Sequence, residues 1–188
     1  MNSPVAAVSG VLCRIKAILT LLVFTLFMSV AFAADKNDAT KAAEEPVFRE
    51  PFTLRLHVDK EHFYEQKIEK IPFVHQGDVY LLKGDEFGLA LEIKDNAIVS
   101  VKYQPNLKKA DVTLKFTQEI MADGGGMMLL NIHNNTKVKL NADVLMTVAG
   151  QKGVQKTNIL PVPPSMSGFE SWPDPIVQLV LRNIRIEK

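Results

Sequence analysis

The sequence predicts an all-β fold, a two-layer antiparallel β-sandwich of about eight or nine short strands. Three observations lead to this prediction. Apolar and polar residues alternate with a period of two in several separate stretches, and residues typical of tight turns lie between those stretches. In addition, no stretch of ten or more residues after position 33 keeps the 3.6-residue period of a helix. A closed barrel is the alternative arrangement for such a pattern.

The alternation is clear at the start of the predicted domain, where Phe52, Leu54 and Leu56 are separated by polar residues. Because successive side chains of a strand point to opposite faces, such a strand buries one face and exposes the other. The predicted strands span residues 52–58, 87–93, 97–103, 112–116, 138–148 and 176–186. Turn-forming residues lie at positions 94–96, 104–106, 123–126 and 149–153. Residues 61–71 are the one place where a helical turn is expected.

The last predicted strand, residues 176–186, alternates imperfectly around Arg182 and Asn183. A β-bulge at this point would keep the apolar side chains before and after it on one face. These side chains are Leu179, Leu181, Ile184 and Ile186. We expect a central or paired strand here, because both faces of the segment are apolar.

Two antiparallel layers of short strands resemble the architecture of immunoglobulin-like domains, which is the commonest sandwich of this kind. The Cys, Trp, Cys signature of antibody domains is absent, because Cys13 is the only cysteine and lies before the predicted domain. The resemblance therefore concerns architecture alone and implies no function.

The first 33 residues have the pattern of a secretory signal peptide. Arg14 and Lys16 precede an apolar run over residues 17–31, and small residues end at a cleavage site after Ala33. The run is short for a membrane span, although an uncleaved anchor is the alternative. No later run is long enough to cross a membrane, so we expect no stable membrane insertion after cleavage.

Residues 34–51 are polar and are predicted to form a flexible leader before a single domain over residues 52–188. The mature chain contains no cysteine, whereas small secreted eukaryotic domains often depend on disulfides. We therefore expect a periplasmic or secreted protein, with a bacterial periplasm favoured. A eukaryotic glycosylation pattern, Asn134-Asn135-Thr136, is present but is weak evidence of origin.

The charge balance argues against a polyanionic partner. The chain has 22 Lys and Arg against 21 Asp and Glu, and its basic residues are scattered. Without a basic patch there is no release of counterions to drive binding of nucleic acid or anionic lipid. We expect no nucleic-acid partner.

A proline-rich segment, residues 160–175, is predicted to form an extended, unpaired arch that carries the only tryptophan. Phe169 and Trp172 are expected to fold inward and cap the open end of the sandwich. Alternatively, Trp172 faces outward as a platform for a sugar ring or a partner loop, with Glu170 and Asp174 as acceptors. The same two carboxylates are the candidates for a hydrolase mechanism.

A second candidate site contains thioethers and an imidazole: Met121, Met127, Met128 and His133. These residue types suit cuprous ion. The four histidines come from separated segments, so zinc binding would require them to converge in the folded chain. Met is also a common filler of irregular gaps in a core, so at least one of the three methionines is expected inside.

The sequence contains no nucleophile motif, no phosphate-binding loop and no cofactor signature, so we expect no cofactor. The leading hypothesis is an exported, non-catalytic binding module for a protein or a cell-envelope component. A periplasmic copper or zinc protein and a hydrolase that uses loop carboxylates are the alternatives.

Overall fold

A computed structural model describes residues 45–122 and 124–187. These residues belong to one compact unit and contain twelve β-strands and one short 3-10 helix. The prediction of an all-β fold is confirmed. The predicted signal peptide and the first part of the predicted leader, residues 1–44, lie outside the described residues. In the described part of the chain, no helix is long and apolar enough to cross a membrane.

All six segments with clear alternation form strands, and further strands between them bring the number in the described residues to twelve, more than the eight or nine expected. The twelve strands are β1 Phe52–His57, β2 Phe63–Ile68, β3 Val74–His75, β4 Asp78–Leu81, β5 Glu86–Lys94, β6 Ala97–Gln104, β7 Val112–Ile120, β8 Gly126–Asn134, β9 Leu140–Val148, β10 Gln155–Asn158, β11 Ser167–Trp172 and β12 Ile176–Ile186. The 3-10 helix, Leu107–Lys109, lies between β6 and β7. The turn between β5 and β6 contains Asp95 and Asn96 at positive φ, 49° and 59°, which is the geometry of a type I′ hairpin turn.

Ten strands form two antiparallel sheets of five. Sheet one has the order β10-β9-β12-β4-β3, sheet two has the order β11-β8-β7-β5-β6, and β1 and β2 form a separate hairpin. Apolar side chains from both sheets and from the hairpin belong to one core, including Leu179, Phe116 and Leu56. This arrangement is consistent with a β-sandwich. The strand order differs from the ABED and CFG order of antibody constant domains, so the immunoglobulin-like type is not confirmed.

The period-two pattern is visible in the burial of the strands. In β8 and β9, every second residue is buried and the residues between are partly or fully exposed. Met128, Leu130 and Ile132 are the inward residues in the middle of β8. Burial of each such side chain contributes about 1.5–3 kcal/mol, and these contributions stabilise the two-layer arrangement.

The last strand, β12, lies between β9 and β4 in sheet one, so the prediction of a paired strand is confirmed. Its register against β9 shifts between Arg182 and Arg185, at the place where a bulge was predicted. Asn183 has a positive φ of 48° there. Because of this bulge, apolar side chains on both sides of the shift pack in or against the core, as predicted.

Residues 61–71 contain a strand instead of the predicted helical turn. β2 pairs with β1 over its whole length, from Ile68 opposite Phe52 to Phe63 opposite His57. Polar residues follow one another in β2 because most of the strand is exposed. Pairing with β1 therefore outweighs the weak helical pattern of this segment.

The prediction of an unpaired arch over residues 160–175 is wrong in part. Ser167–Trp172 form β11, which pairs with β8 along its whole length. All the prolines of this segment lie outside β11, at Pro161, Pro163, Pro164, Pro173 and Pro175. Proline cannot donate to a strand ladder, so its absence from the six strand residues leaves the pairing intact.

Asn134, at the end of β8, ties three segments together. Its side chain is fully buried, and its amide nitrogen lies 2.8 Å from the carbonyl oxygen of Val138 and 3.0 Å from that of Val162. Its amide oxygen accepts from the main-chain N–H and the hydroxyl of Thr136. Asn134 is the acceptor asparagine of the glycosylation pattern, and a glycan at this buried position is incompatible with the fold.

The described chain is fixed to the sandwich before β1 begins. The side chain of Arg49 is 6% exposed, and its guanidinium donates to the carboxylate of Asp85, with Nε 3.0 Å from Oδ1. It also donates to the carbonyl oxygens of Pro72 and Tyr80 and lies 4.0 Å from the centre of the Phe73 ring. Arg49 belongs to the polar segment 34–51 that is predicted to be a flexible leader, whereas its side chain is held inside the domain.

Candidate functional site

The two aromatic residues predicted to cap the sandwich lie on opposite faces of β11. Trp172 is 8% exposed, and its indole N–H donates to the hydroxyl of Thr157 on β10 at 3.3 Å. Phe169 is 72% exposed and points away from the core. The inward position expected for both rings therefore holds for Trp172 alone, since residues an odd number apart in a strand face opposite sides.

The two candidate carboxylates have separate positions. Glu170 lies in β11, and its carboxylate accepts from the main-chain N–H of Leu160 at 2.7 Å. Asp174 lies in the bend between β11 and β12 and is half-buried. Glu170 thus fixes the segment that precedes β11, which is a structural role.

The structure does not bring the four predicted copper ligands together. Met128 is fully buried in the core, while Met127 and His133 lie on the outer face of β8. Met127 and His133 are six residues apart along one strand, which corresponds to about 20 Å. Met121 lies beyond the end of β7 and is 45% exposed. Within residues 45–122 and 124–187, no group of three or more His, Cys, Asp or Glu side chains could hold a metal ion.

The outer face of sheet two carries a concavity of about 380 Å³ that we call the Phe169 groove. Its lining residues are Lys115, Thr117, Glu119, Leu129, Leu130, Asn131, Phe169, Glu170 and Ser171. Strand register explains the arrangement. Lys115, Asn131 and Phe169 lie directly opposite one another across β7, β8 and β11, and Thr117, Leu129 and Ser171 form the next row. Residues two apart on a strand share a face, so both rows line the groove.

The groove combines one exposed aromatic ring with several kinds of polar group. Lys115 forms an ion pair with Glu86 at 3.0 Å, and both side chains are about half exposed. Glu119 supplies an exposed carboxylate, and Thr117 and Ser171 supply hydroxyls. An aromatic ring surrounded by hydroxyl, amide and charged groups suits a ligand with apolar faces and polar edges.

Asn131, which lines the groove, has an unpaired polar atom. Its amide oxygen is buried and has no hydrogen-bond partner, and it is the one such side-chain atom among the residues that the structure describes. Buried polar atoms in folded proteins are nearly always bonded, so an unpaired acceptor has a free-energy cost. A feature that lowers stability at a concave surface is typical of a binding site.

We expect Asn131→Leu to raise the free energy of unfolding by about 1 kcal/mol, because it removes a buried acceptor without a partner. Urea denaturation of the wild type and of Asn131→Leu measures the difference in the free energy of unfolding. Asn135→Leu is the matched control, since the Asn135 side chain donates to the carbonyl oxygen of Ala110 at 2.9 Å and its loss should lower stability. A loss of stability in Asn131→Leu would contradict an unpaired acceptor.

A second concavity, of about 520 Å³, crosses the bulge on sheet one. Two of its carboxylates are paired: Asp78 with Arg182 of the same lining at 2.8 Å, and Asp143 with the neighbouring Arg185 at 2.8 Å. The hydrogen bond from Asn183, followed by that from Arg185, lowers the pKa of Asp143. These contacts hold the bulge in place, and no aromatic side chain lines this surface. The Phe169 groove is therefore the better candidate for a binding site.

No protein-family model, no curated protein and no solved structure matches this chain. The assignment of a site therefore rests on its geometry. Phe169 and Glu170 are candidates from the sequence alone, whereas the row that Phe169 forms with Lys115 and Asn131 is not visible there. The missing signal was the pairing of β8 with β7 and β11, which places residues distant in sequence side by side.

Proposed function

We propose that this chain is an exported, non-catalytic binding module of the bacterial periplasm or cell envelope, and that its Phe169 groove binds an envelope glycan. The observation that carries the proposal is the exposed ring of Phe169 in a groove of polar side chains. The signal-peptide pattern of residues 1–33 supports export. The immunoglobulin-like type remains a prediction and adds nothing to this function.

A glycan fits the chemistry of the groove better than an apolar ligand does. A sugar ring has a face of C–H groups that can lie against an aromatic ring, and its edge carries hydroxyls that both donate and accept. Thr117 and Ser171 can pair with such hydroxyls, and the carboxylate of Glu119 can accept from them. The groove thus offers a partner for each part of a sugar.

The alternatives have less support. A hydrolase would need two carboxylates on either side of a scissile bond, whereas the Glu170 carboxylate is already bonded to the N–H of Leu160. A copper site would need thioethers that share one face, whereas Met127 and Met128 lie on opposite faces of β8. Binding without catalysis is therefore the function that we propose.

We expect Phe169→Ala to weaken glycan binding at least tenfold. A phenylalanine side chain that becomes buried under a ligand contributes about 1.5–3 kcal/mol, and 1.4 kcal/mol corresponds to a factor of ten. The probes are soluble peptidoglycan fragments and, separately, lipopolysaccharide oligosaccharides, with the dissociation constant measured by calorimetry. The control is Val99→Ala on β6, which removes a 51% exposed side chain from the other edge of sheet two. Absence of binding by the wild type, or equal binding by both variants, would contradict the proposal.

A further inference from the structure

The outer edge of β11 is open. β11 is the terminal strand of sheet two, and no other strand within residues 45–122 and 124–187 pairs with its second edge. The main-chain N–H of Asn134 donates to the carbonyl oxygen of Met166. In an antiparallel pair every second residue bonds to the partner strand, so this bond shows which residues of β11 face β8. Even-numbered residues of β11 therefore bond to β8, and the N–H and C=O groups of Ser167, Phe169 and Ser171 point to the open edge.

Exposed apolar side chains surround this edge. Leu160 is 74% exposed, Met166 is 54% exposed and Phe169 is 72% exposed. Natural proteins usually protect a sheet edge with charges, with short strands or with a covering segment. The other edge of sheet two, β6, carries Lys102, and the edge strands of sheet one, β10 and β3, have four and two residues. The β11 edge has none of these protections beyond Glu170, which is bonded within its own chain.

The open positions of β11 read Ser, Phe, Ser in both directions along the strand. We propose that β11 pairs in antiparallel fashion with β11 of a second copy of this chain, around a two-fold axis at Phe169. In this register Phe169 lies opposite Phe169 of the second copy, and Ser167 lies opposite Ser171. The three residues of each copy exchange their N–H and C=O groups, which gives about six main-chain hydrogen bonds.

The charges of the strand are compatible with this register. Glu170 is the one charged residue in β11, and it lies opposite Gly168 of the second copy, so no like charges face each other directly. A side chain at Gly168 would also approach Val162 of its own chain to 2.9 Å, so the glycine leaves room on this face. Trp172 lies opposite Met166 of the second copy, which adds an apolar contact to the buried ring.

The small size of the strand sets the expected affinity. A pair of six-residue strands buries less than the roughly 800 Å² per partner of a standard interface, so a dissociation constant in the micromolar range is expected. The pairing joins the two copies of sheet two into one sheet of ten strands, with the two Phe169 rings side by side on its outer face. The dimer does not depend on a glycan, so it can be tested without one.

Disulfide trapping tests the register directly. In a full chain with Cys13→Ser, each introduced cysteine is the only one. The Cα atoms of paired residues in hydrogen-bonded positions lie about 5.5 Å apart, within the 4.4–6.8 Å range of disulfides. Phe169→Cys is therefore expected to form a covalent dimer on mild oxidation, at least tenfold faster than Val99→Cys on β6. A non-reducing gel measures both rates.

A second pair of variants separates this dimer from random collisions. Two copies of Ser171→Cys would lie about 14 Å apart and are expected not to link, and the same holds for Ser167→Cys alone. A mixture of the two proteins, one with an affinity tag, is expected to link. If Phe169→Cys links no faster than Val99→Cys, or if Ser171→Cys links alone as fast as Phe169→Cys, the proposal is overturned. Neither outcome bears on glycan binding, which is measured separately.

Discussion

Replacement of Arg49 by Met is expected to lower the free energy of unfolding by about 3–5 kcal/mol. The Arg49 guanidinium is buried and donates to the Asp85 carboxylate and to main-chain carbonyls, including those of Pro72 and Tyr80. Methionine fills part of the volume but leaves the carboxylate and the carbonyls without these donors. An unpaired buried charge costs far more than the loss of an exposed ion pair. Urea denaturation followed by circular dichroism measures the effect.

Arg55→Met is the matched control for this prediction. Arg55 forms an ion pair with Glu65 at 3.2 Å, but both side chains are more than half exposed. Its loss is expected to change stability by about 1 kcal/mol or less, since solvent screens exposed pairs. The double variant Arg49→Met with Asp85→Leu should lower the free energy of unfolding by less than the sum of the two single changes. In the double variant both charges are removed, so no buried charge is left unpaired. Equal effects of Arg49→Met and Arg55→Met would show that the buried pair is not a major source of stability.

Asn134→Asp is expected to lower the free energy of unfolding by about 3 kcal/mol or more at neutral pH. The change keeps the shape of the side chain but replaces its N–H donors with a carboxylate oxygen. That oxygen would face the carbonyl oxygens of Val138 and Val162, which now accept from the Asn134 amide. The other carboxylate oxygen can still accept from Thr136, but this oxygen has neither a donor nor solvent, so the folded state is destabilised. Thermal and urea unfolding of the variant measure the loss.

The pH dependence of Asn134→Asp has a definite sign. Burial beside carbonyl oxygens raises the pKa of the introduced carboxyl in the folded state above its unfolded value of about 3.9. The protonated form can donate, so the loss of stability relative to wild type is smallest below the unfolded pKa of about 3.9. It grows as the pH rises from there to the folded pKa, and is constant above it. Asn135→Asp is the neighbouring control, at an exposed residue with a single side-chain hydrogen bond, and should show a much smaller effect. A deficit that does not change with pH would contradict this account.

The sequence predicted those strands whose alternation is visible in one segment and missed those that depend on their partners. β9 alternates clearly and was predicted, whereas β8 has apolar residues on both faces, such as Met127 and Leu129, so its period is hidden. β11 was missed because prolines flank it. The bulge at Arg182 was predicted because a break in the period of a long strand is itself a local signal.

The candidate site was predicted less well than the fold, for a similar reason. Phe169 was expected to fold inward with Trp172, because the strand that places the two rings on opposite faces was not recognised. The groove depends in addition on which strands lie beside β11. The importance of Arg49 was hidden because a buried charge is recognised by its partners, and Asp85 lies 36 residues later in the chain. Period and turn residues report local structure, whereas sites are formed by contacts between segments distant in sequence.

The position of β12 has a consequence for the order of assembly. A ribosome or a secretion channel delivers a chain from its amino end, and β12 is the last strand of the described chain. Within sheet one, β4 and β9 do not pair with each other, because each pairs with β12 instead. The two parts of this sheet therefore stay separate until the final strand has emerged. Sheet two contains no part of β12, so its strands can pair during delivery, whereas sheet one is completed only when the last described strand is available.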